Sequence, residues 1–469
     1  MSEQEKLPPG TLMTLAIIFL AGLVDGLDAT IVTVSLPTMA QEFGITPTHS
    51  SWIMFAYVVG LAAFLIPLGK MAKNGRVRKF MLLGTALFGI SSFLCGISNN
   101  FWMLVFFRLV QGISAAMMSS VLPSMVVHML PVDRKGLGMS ILGASSGLAL
   151  ILGPVLGGLI VSSLSWHWLF YINVPICIVI LLMAMSHMPK DAPRDPDKDP
   201  TMFGGLGVML LIGSVLVLME DLGDSDMNLW GRIICVILAV IGSTLLIRSI
   251  KIDKKRMVIS MEMLKNREYL VVGSAFLLCT IVVAGAQYLM PYMLQHYWNL
   301  PTFDSGIYLA SASVAMVIFV IPVGRMCDKF GCKWPAAMAA ILRGTFCAIM
   351  IYMVYETKEP LLVIIPLLVL GVSNAFSGTA QPTRMIHHST PGYEDESTNF
   401  MLVVNYVASA LGCVLFAMVF GIFSPGQIEE LGKDGLMNGF IPTMWMSIAL
   451  LVLALICTLS VRNKIVKKE

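Results

Sequence analysis

Charged side chains are scarce in this sequence. Only 13% of its 469 residues are Asp, Glu, Lys or Arg, whereas 57% are hydrophobic, and the mean hydropathy is +0.82. A typical soluble domain has about 25% charged and about 45–50% apolar residues. So few charges cannot coat the two or three soluble domains that a chain of this length would form, and we expect the apolar surface to contact lipid. The net charge of +3 is too small and too dispersed to indicate a nucleic-acid partner.

The sequence also lacks signatures of metal, nucleotide and covalent chemistry. Its nine cysteines form no Cys-x-x-Cys pair, and its seven histidines form no ligand set. It has no Walker A loop and no His-Glu-x-x-His, and its Gly-x-Ser-x-Gly at 143–147 lies within an apolar run and not at a nucleophile elbow. We therefore predict no enzyme activity, no cofactor and no metal site. Without an ATP site, any transport must use an ion gradient or the gradient of the substrate itself.

Long apolar runs occupy most of the chain. A helix needs about 20 mostly apolar residues to cross about 30 Å of hydrocarbon, and these runs are too long and too continuous for the strands of a β-barrel. The first run has no cleavage site and leads directly into the second, so it is not predicted to be a cleavable signal peptide. We therefore predict an all-α membrane protein with fourteen spans, at about 11–37, 50–72, 79–97, 102–129, 136–162, 168–187, 203–220, 230–249, 268–294, 305–326, 334–355, 360–384, 396–422 and 439–461.

The distribution of Lys and Arg predicts the orientation. With the N-terminus inside the cell, 26 of the 31 basic residues fall in cytoplasmic segments and three fall outside, while Arg108 and Arg343 lie within spans. Cytoplasmic loops carry the excess of basic residues in membrane proteins. We therefore predict that both termini are cytoplasmic and that the number of spans is even.

A repeated loop indicates two related halves. Span 2 ends in the basic turn 69–79 and span 10 ends in the similar turn 324–333. Paired loops of this kind indicate two six-helix bundles related by an axis along the membrane normal. The predicted organisation is an N-terminal six-helix bundle (1–187), a linker with two extra transmembrane helices (188–250) and a C-terminal six-helix bundle (251–469).

Two acids and one arginine lie within the predicted spans of the first half. Asp25 and Asp28 are three residues apart in span 1 and share a helix face. At 1.5 Å per residue, Asp28 lies about 22 Å above the inner surface, and Arg108 of span 4 lies about 10 Å below the outer surface. The two are therefore at similar depth, with Asp25 about one turn deeper. Charges within a span are costly and indicate function.

This arrangement has two interpretations. Burial favours the neutral acid and a nearby guanidinium favours the carboxylate, so Asp28 balanced between them can exchange a proton near neutral pH. Alternatively, Asp28 and Arg108 form a fixed ion pair that only locks helix 1 to helix 4. Asp25 either takes part in proton or substrate coupling or simply faces an aqueous vestibule.

Span 5 is rich in glycine and contains a proline. Such glycines allow close backbone approach in a membrane bundle, and the proline can bend the helix. The run is interpreted as a tightly packed helix, as a hinge or seal between the two bundles, or as both. Its residues are Gly143, Gly147, Gly153, Pro154, Gly157 and Gly158.

Several polar residues are weaker candidates. Glu220 lies near the outer end of span 7, in an acidic stretch that is either a solvated loop mouth or a cation-attracting site. Gln287, Asn374 and Asn405 are polar groups in apolar spans, and each binds substrate or hydrogen-bonds a neighbouring helix. Arg343 in span 11 has no obvious partner in the sequence.

Four ordered motifs resemble those of a known family. Residues 27–37 resemble the span 1 signature of the 14-spanner drug:proton antiporters of the major facilitator superfamily. Residues 108–112 are similar to the superfamily's span 4 motif, 143–158 to its antiporter motif and 166–175 to the entry into span 6. The resemblance covers nearly the whole chain.

This resemblance implies a function and a set of roles. It implies a monomeric carrier in the cell membrane that alternates between inward-open and outward-open states and exchanges external protons for a small amphipathic compound. Asp28 and Arg108 would carry the coupling, and the 143–158 run the gating. The partners would be protons, the substrate and membrane lipid.

The sequence departs from this family in two places. The first cytoplasmic loop motif begins at Gly69 and has Lys73 at the position where relatives have Asp. The second copy of the motif keeps this acid, as Asp328. The glycines of that second copy are Gly324 and Gly331. In span 13, relatives tend to have an Arg-Gln pair, whereas this chain has the stretch beginning at Asn405.

Three functions remain open from the sequence. The first is proton-coupled export of drugs or toxic amphipathic compounds. The second is proton-coupled transport of a specific metabolite, such as an organic acid or peptide, on the same fold. The third is a membrane sensor or scaffold that does not transport, although a sensor has no need for acids beside Arg108.

Overall fold

The chain folds into long helices joined by short connections. The computed structural model describes residues 9–130, 135–191, 193, 202–224, 228–252, 265–356, 359–390, 394–426 and 428–463. All regular structure in these ranges is helical, as predicted. The helices are α1 (Pro9–Phe43), α2 (Pro47–Lys73), α3 (Val77–Gly96), α4 (Phe101–Ser119), α5 (Leu122–Met129), α6 (Lys135–Ser163), α7 (Trp168–Tyr171), α8 (Asn173–His187), α9 (Met202–Asp224), α10 (Leu229–Ile252), α11 (Arg267–Tyr292), α12 (Thr302–Phe330), α13 (Lys333–Glu356), α14 (Ile364–His387), α15 (Glu394–Phe423) and α16 (Ile428–Ser460).

Local sequence explains where several helices begin and bend. Side chains at Thr46, Asn100 and Asn266 each accept a hydrogen bond from the backbone N–H three residues later, which satisfies a donor that the first helical turn leaves unpaired. Gly331 adopts φ +77° in the turn between α12 and α13, a conformation that glycine takes without steric cost. At Gly432 the backbone leaves helical geometry and α16 kinks.

Thirteen helices within the described ranges are long and apolar enough to cross a membrane. They lie at thirteen of the fourteen predicted spans. The remaining predicted span, 203–220, falls on α9, which forms a helix but is not among the thirteen. A fourteenth crossing and the cytoplasmic position of the termini stay predictions.

Helix packing produces two bundles. In the first half, α1 packs against α6, and α4 packs against α2 and α3; in the second half, α11 packs against α15, and α14 packs against α12 and α13. The halves meet where α6 contacts α12 and where α2 contacts α15. The extra helices α9 and α10 pair with each other, and α9 also packs on α2 and α15. The boundaries predicted at 187 and 250 stay predictions.

The two halves are closed at one end of the molecule. We call the face where α1 begins the inner face and the face where α1 ends the outer face. Near the outer face the Gln295 amide donates to the Val34 carbonyl at 2.8 Å, the Thr48 hydroxyl donates to the Ala417 carbonyl at 3.4 Å, and Ser50 hydrogen-bonds Tyr292. These bonds join the halves and seal the outer end of their interface.

Toward the inner face, α6 and α12 separate. Gly143 lies near the inner end of α6. If this residue carried a Cβ atom, no described atom of a neighbouring helix would lie within 4 Å of it. Met139 on α6 is exposed, as are Ile318 and Ile321 on α12. In the part of the chain that the structure describes, the close contacts between α6 and α12 therefore lie toward the outer face, and the space between the two helices opens toward the inner face.

Candidate functional site

A buried ion pair lies in the first half. Arg108 Nη1 on α4 is 2.6 Å from Asp28 Oδ2 on α1. Asp28 is 0% exposed and Arg108 is 1% exposed. The matched depths predicted for these two residues are therefore confirmed by a direct contact.

Two amides complete the coordination of the carboxylate. Gln111 Nε2 donates to Asp28 Oδ1 at 2.8 Å, and Asn173 Nδ2 donates to the same oxygen at 2.9 Å. Gln111 also accepts from Arg108 Nη1 at 2.8 Å and donates to the Ser92 hydroxyl at 2.8 Å. A buried charge is tolerated when it is paired and fully hydrogen-bonded. We call Asp28, Arg108, Gln111 and Asn173 the buried network.

Arg108 has further partners around its guanidinium. Its Nε donates to the Ile53 carbonyl of α2 at 3.1 Å, and its guanidinium lies over the Tyr57 ring at 4.4 Å. The buried network thus ties α1 and α4 to α2 and α8. The network in this inward-open state matches the fixed ion pair of the second interpretation, and any role of Asp28 in proton transfer stays a prediction.

Asp25 has a different environment. It is half-buried, and it accepts hydrogen bonds from the Tyr57 hydroxyl at 3.0 Å and the Ser119 hydroxyl at 2.8 Å. No ion pair is recorded for it among the described residues. Tyr406, on α15 of the other half, packs against the core cluster that contains Val24 and Tyr57. Asp25 is therefore a partly accessible acid without a cationic partner in the described part of the chain.

The glycine run of α6 divides into a packed part and an open part. Cβ atoms built at Gly153 and Gly157 would overlap Thr30 and the Ile31 carbonyl of α1. A Cβ at Gly158 would lie 2.8 Å from the Thr302 carbonyl of α12, and the Pro154 carbonyl approaches Gly306 of that helix closely. Gly143 has open space, and the nearest described atom to a Cβ at Gly147 is 3.9 Å away, on Val317. The outer part of the run thus packs α6 against both α1 and the opposite half.

This division predicts a state-dependent effect of substitution. Gly158→Leu cannot be accommodated against Thr302, so we expect it to open the outer seal and shift the population toward outward-open states. Gly143→Leu, on the same helix but in open space, is the matched control and should leave the populations unchanged. Distances between spin labels at Leu164 and Pro301, in a background without native cysteines, measure the opening. Equal distance distributions in the two variants would contradict a sealing role for Gly158.

A small cavity lies between the two halves. Thr30 and Thr33 of α1 and Pro154 of α6 line one side, and Gln287 of α11 and Asn374 of α14 line the other. Its volume of about 50 Å³ gives room for a small polar headgroup, since about 10–15 Å³ of such space holds one water molecule. Two of the weak substrate-binding candidates therefore reach a common space.

Asn405, a third weak candidate, does not line this cavity. It lies on α15, and the side chain of Glu220 lies outside the described part of the chain. A substrate role for either residue stays a prediction. Asp221, next to Glu220, forms a 2.7 Å ion pair with Arg232 of α10, which ties the extra helices together.

Arg343 has partners that the sequence did not indicate. It is 0% exposed, its Nη1 donates to the Cys279 carbonyl of α11 at 2.8 Å, and its Nη2 donates to Asn374 Oδ1 at 2.9 Å. Asn374 thus fulfils one of the two alternatives left open for it, a hydrogen bond to a neighbouring helix. It also lines the cavity, and its role in substrate binding stays a prediction. These contacts depend on which helices become neighbours, so sequence spacing could not reveal them.

The repeated loops occupy the inner face. Gly331 forms the turn after α12, and Asn463 Nδ2 donates to the adjacent Phe330 carbonyl at 2.9 Å. Asp328 is exposed and Gly324 is half-buried. In the first copy, a Cβ at Gly69 would lie 3.2 Å from Ser120. The side chain of Lys73 lies outside the described residues, so the effect of this departure from the motif stays untested.

Sequence reasoning missed several members of the site. Gln111 and Asn173 occur in the quoted motifs without an assigned role, and Tyr57, Ser92 and Ser119 were not singled out. Gln111 follows Arg108 by three residues, so helical spacing alone places both on one face. The contacts of the remaining four with Asp25, Asp28 or Gln111 come from tertiary packing.

Comparison with curated proteins identifies relatives that are transporters. The chain is 25% identical over 413 residues to the riboflavin transporter RibZ of Clostridioides difficile (strain 630), covering 87% of this chain and 88% of that protein. It is 25% identical over 452 residues to the multidrug efflux pump SdrM of Staphylococcus aureus (strain N315), covering 93% and 96%. It is 27% identical over 331 residues to the multidrug export protein EmrB of Escherichia coli (strain K12), covering 70% of this chain and 64% of that protein.

Solved structures share the fold. A bacterial homolog to the human lysosomal transporter Spinster, in an inward-facing and occupied conformation, superposes with a TM-score of 0.68 at 14% identity and covers 97% of each chain. A POT family transporter in complex with 5-aminolevulinic acid gives a TM-score of 0.69 at 14% identity, covering 95% of this chain and 96% of that one. At this identity the likeness concerns the fold alone.

The family itself is shown by a match along the chain. The sequence matches the Major Facilitator Superfamily over residues 18–416, which is most of its length. The resemblance inferred from the four motifs is confirmed, as is the prediction that the protein is a multi-pass membrane transporter and not an enzyme. With its helical bundles, its buried network and these relatives, the chain belongs to the major facilitator superfamily.

Proposed function

We propose that this chain is a proton-coupled exporter that moves amphipathic compounds out of the cell in exchange for protons. The single observation that carries the proposal is the arrangement of two acids on α1, with Asp28 in a buried ion pair and Asp25 half-buried one turn toward the inner face. Acids within membrane spans mark proton relays. Similarity to proteins named as multidrug exporters supports the export direction.

In this proposal, Asp25 is the residue that exchanges protons with water. Its carboxylate is partly accessible and is held by the hydroxyls of Tyr57 and Ser119 rather than by a recorded cation. A hydroxyl can rotate and serve a protonated acid as well as a carboxylate. Asp25 can therefore gain or lose a proton without leaving a buried positive charge unpaired.

Asp28 then converts protonation into a change of helix packing. A proton on Asp28 would remove the charge that holds Arg108, so α1 would be released from α4 and α8. Because α1 packs against Gly153 and Gly157 of α6, and α6 seals against α12, a shift of α1 reaches the outer gate. Coupling requires such an element with two arrangements of different proton affinity.

The proposal includes the finer features inferred from the sequence. The carrier is a monomer with fourteen spans, its termini are cytoplasmic and it lies in the cell membrane. It alternates between the inward-open state described above and an outward-open state. The Lys and Arg distribution supports the orientation.

A second candidate is transport of a specific metabolite, such as an organic acid or peptide, by the same proton-coupled cycle. Similarity to a protein named as a riboflavin transporter, over 87% of this chain, supports it. The small size of the cavity also favours recognition of a defined headgroup.

Efflux of matched dyes tests the export proposal. Fluorescein and rhodamine 6G share a xanthene core but carry opposite charge, and Nile red is a neutral third probe. Cells that express the protein should accumulate less of at least one dye than cells expressing Asp28→Asn, and a protonophore should remove that difference. If no dye of any charge behaves this way, export of amphipathic compounds is refuted and metabolite transport takes its place.

A further inference from the structure

The second half contains a buried positive charge that the proposed mechanism does not use. Arg343 is 0% exposed, and the ion pairs recorded within the described ranges are Arg108 with Asp28, Arg232 with Asp221 and His388 with Glu268. Arg343 is in none of them, and its Nε has no hydrogen-bond partner among the described residues. An ionised side chain in a low-dielectric interior is costly unless it is paired.

The contrast with the first half is informative. There, the guanidinium of Arg108 is neutralised by Asp28 at 2.6 Å. Arg343 has only a backbone carbonyl and the Asn374 side-chain oxygen as recorded acceptors. These neutral acceptors bind Nη1 and Nη2 but do not cancel the charge of the guanidinium. A compensating anion is therefore missing from the described surroundings of Arg343.

Asn374 connects this charge to the central cavity. Its Oδ1 accepts from Arg343 Nη2 at 2.9 Å, and the residue lines the cavity. With Oδ1 held by Arg343, the polar group that Asn374 can present to the cavity is its Nδ2 amide, which is a donor. The opposite wall differs, because the hydroxyls of Thr30 and Thr33 already donate to backbone carbonyls. On the side of the second half, the cavity thus has an amide donor with a buried positive charge behind it.

We propose that Asn374, with Arg343 behind it, forms the binding subsite for the carboxylate of an anionic amphipathic substrate. A carboxylate headgroup fits a cavity of about 50 Å³, and it supplies both the acceptor that Asn374 lacks and the negative charge that Arg343 lacks. The apolar part of the substrate then extends toward the inner opening between α6 and α12, where the side chains of Ile318 and Ile321 are exposed. This inference rests on the proposed transport function and specifies its substrate class.

Binding of a matched ligand pair tests the subsite without requiring transport. Octanoate and octyltrimethylammonium have the same alkyl chain and opposite headgroup charge. Their affinities are measured by titration calorimetry at constant pH on the full-length protein in nanodiscs of zwitterionic lipid, with empty nanodiscs as the reference. We expect the wild-type protein to bind octanoate at least about tenfold more tightly than octyltrimethylammonium, since only octanoate can accept a charge-assisted hydrogen bond from Asn374.

Asn374→Asp is the decisive variant, because it is isosteric and supplies the missing anion. The new carboxylate pairs with Arg343, so the protein should unfold at a higher temperature while its affinity for octanoate falls at least about tenfold, the size expected for loss of one charged hydrogen bond. Arg343→Gln should also remove the preference for octanoate, and Arg343→Lys should retain part of it. If Arg343 only ties α11 to α14, Asn374→Asp will stabilise the protein and leave both affinities unchanged, which would overturn the inference.

The outcome is separable from that of the proposed function. If dye efflux depends on protons but rhodamine 6G is exported and fluorescein is not, the export proposal stands and the anionic subsite is refuted. If octanoate binds with the predicted dependence on Asn374 but no dye efflux responds to a protonophore, the subsite stands and proton-coupled drug export fails.

Discussion

Asp28→Asn is expected to abolish proton-driven transport and to destabilise the protein by about 3–5 kcal/mol, the usual cost of removing one partner from a buried ion pair. Both residues of the pair are at most 1% exposed, so water does not replace the lost charge. The variant leaves Arg108 as an uncompensated cation among Gln111, Asn173 and Tyr57. Transport is measured as dye movement in proteoliposomes under an imposed pH gradient, and stability as the midpoint of thermal unfolding.

A double variant separates coupling from locking. Asp28→Asn combined with Arg108→Gln removes both charges and should recover much of the stability, because replacing a buried pair by neutral groups is often close to neutral. If the pair only locks α1 to α4, the double variant should regain transport along with stability. If Asp28 carries the coupling proton, the double variant stays inactive. Undiminished proton-driven exchange by Asp28→Asn alone would refute the assignment.

Asp25→Asn should reduce proton-driven transport without the large loss of stability expected for Asp28→Asn. The hydroxyls of Tyr57 and Ser119 still find acceptor oxygen on an Asn side chain, and no recorded cation loses its partner. The cost in stability should therefore stay near that of one hydrogen bond, about 1 kcal/mol. Proton-driven dye movement should nevertheless fall by about a hundredfold or more, which is the effect that loss of one proton-transfer group produces.

Exchange without a net proton step provides the control for Asp25. When the pH is equal on both sides of the membrane, counterflow of dye requires substrate binding and the change between inward-open and outward-open states, but no change in protonation. Asp25→Asn should therefore retain counterflow. Asp25→Glu keeps an ionisable group and should retain some proton-driven movement. Loss of counterflow in Asp25→Asn would instead indicate a structural role, and full proton-driven activity would place Asp25 outside the proton path.

The sequence predicted best those features that depend on a single helix, such as its apolar length and the depth of a residue along it. The apolar runs predicted the positions of the thirteen helices that can cross a membrane, because hydrocarbon thickness fixes their length. The same rise per residue placed Asp28 and Arg108 at one depth, and their contact at 2.6 Å confirms it. Four motifs in order predicted the superfamily, which the match over residues 18–416 confirms.

Features that depend on helix neighbours could not be predicted. Nothing in the spacing of Arg343 and Asn374 indicates that α13 presents its arginine to α14, or that Asn374 reaches a cavity shared with α1. The same limit applies to Asn173, which approaches Asp28 only because α8 packs beside α1. The glycine run showed that α6 packs closely, but only the structure divides it into an outer seal and an open inner part.

The most direct test of antiport is proton movement driven by cargo alone. Proteoliposomes are loaded with the dye that the cells export and placed in weakly buffered medium at the same pH, and a pH electrode records the outer medium. As the dye leaves the proteoliposomes with the wild-type protein, we expect protons to enter and the outer medium to become more alkaline. We expect no such change with Asp28→Asn. Dye efflux at constant outer pH, or with acidification, would contradict an exchange of protons for substrate.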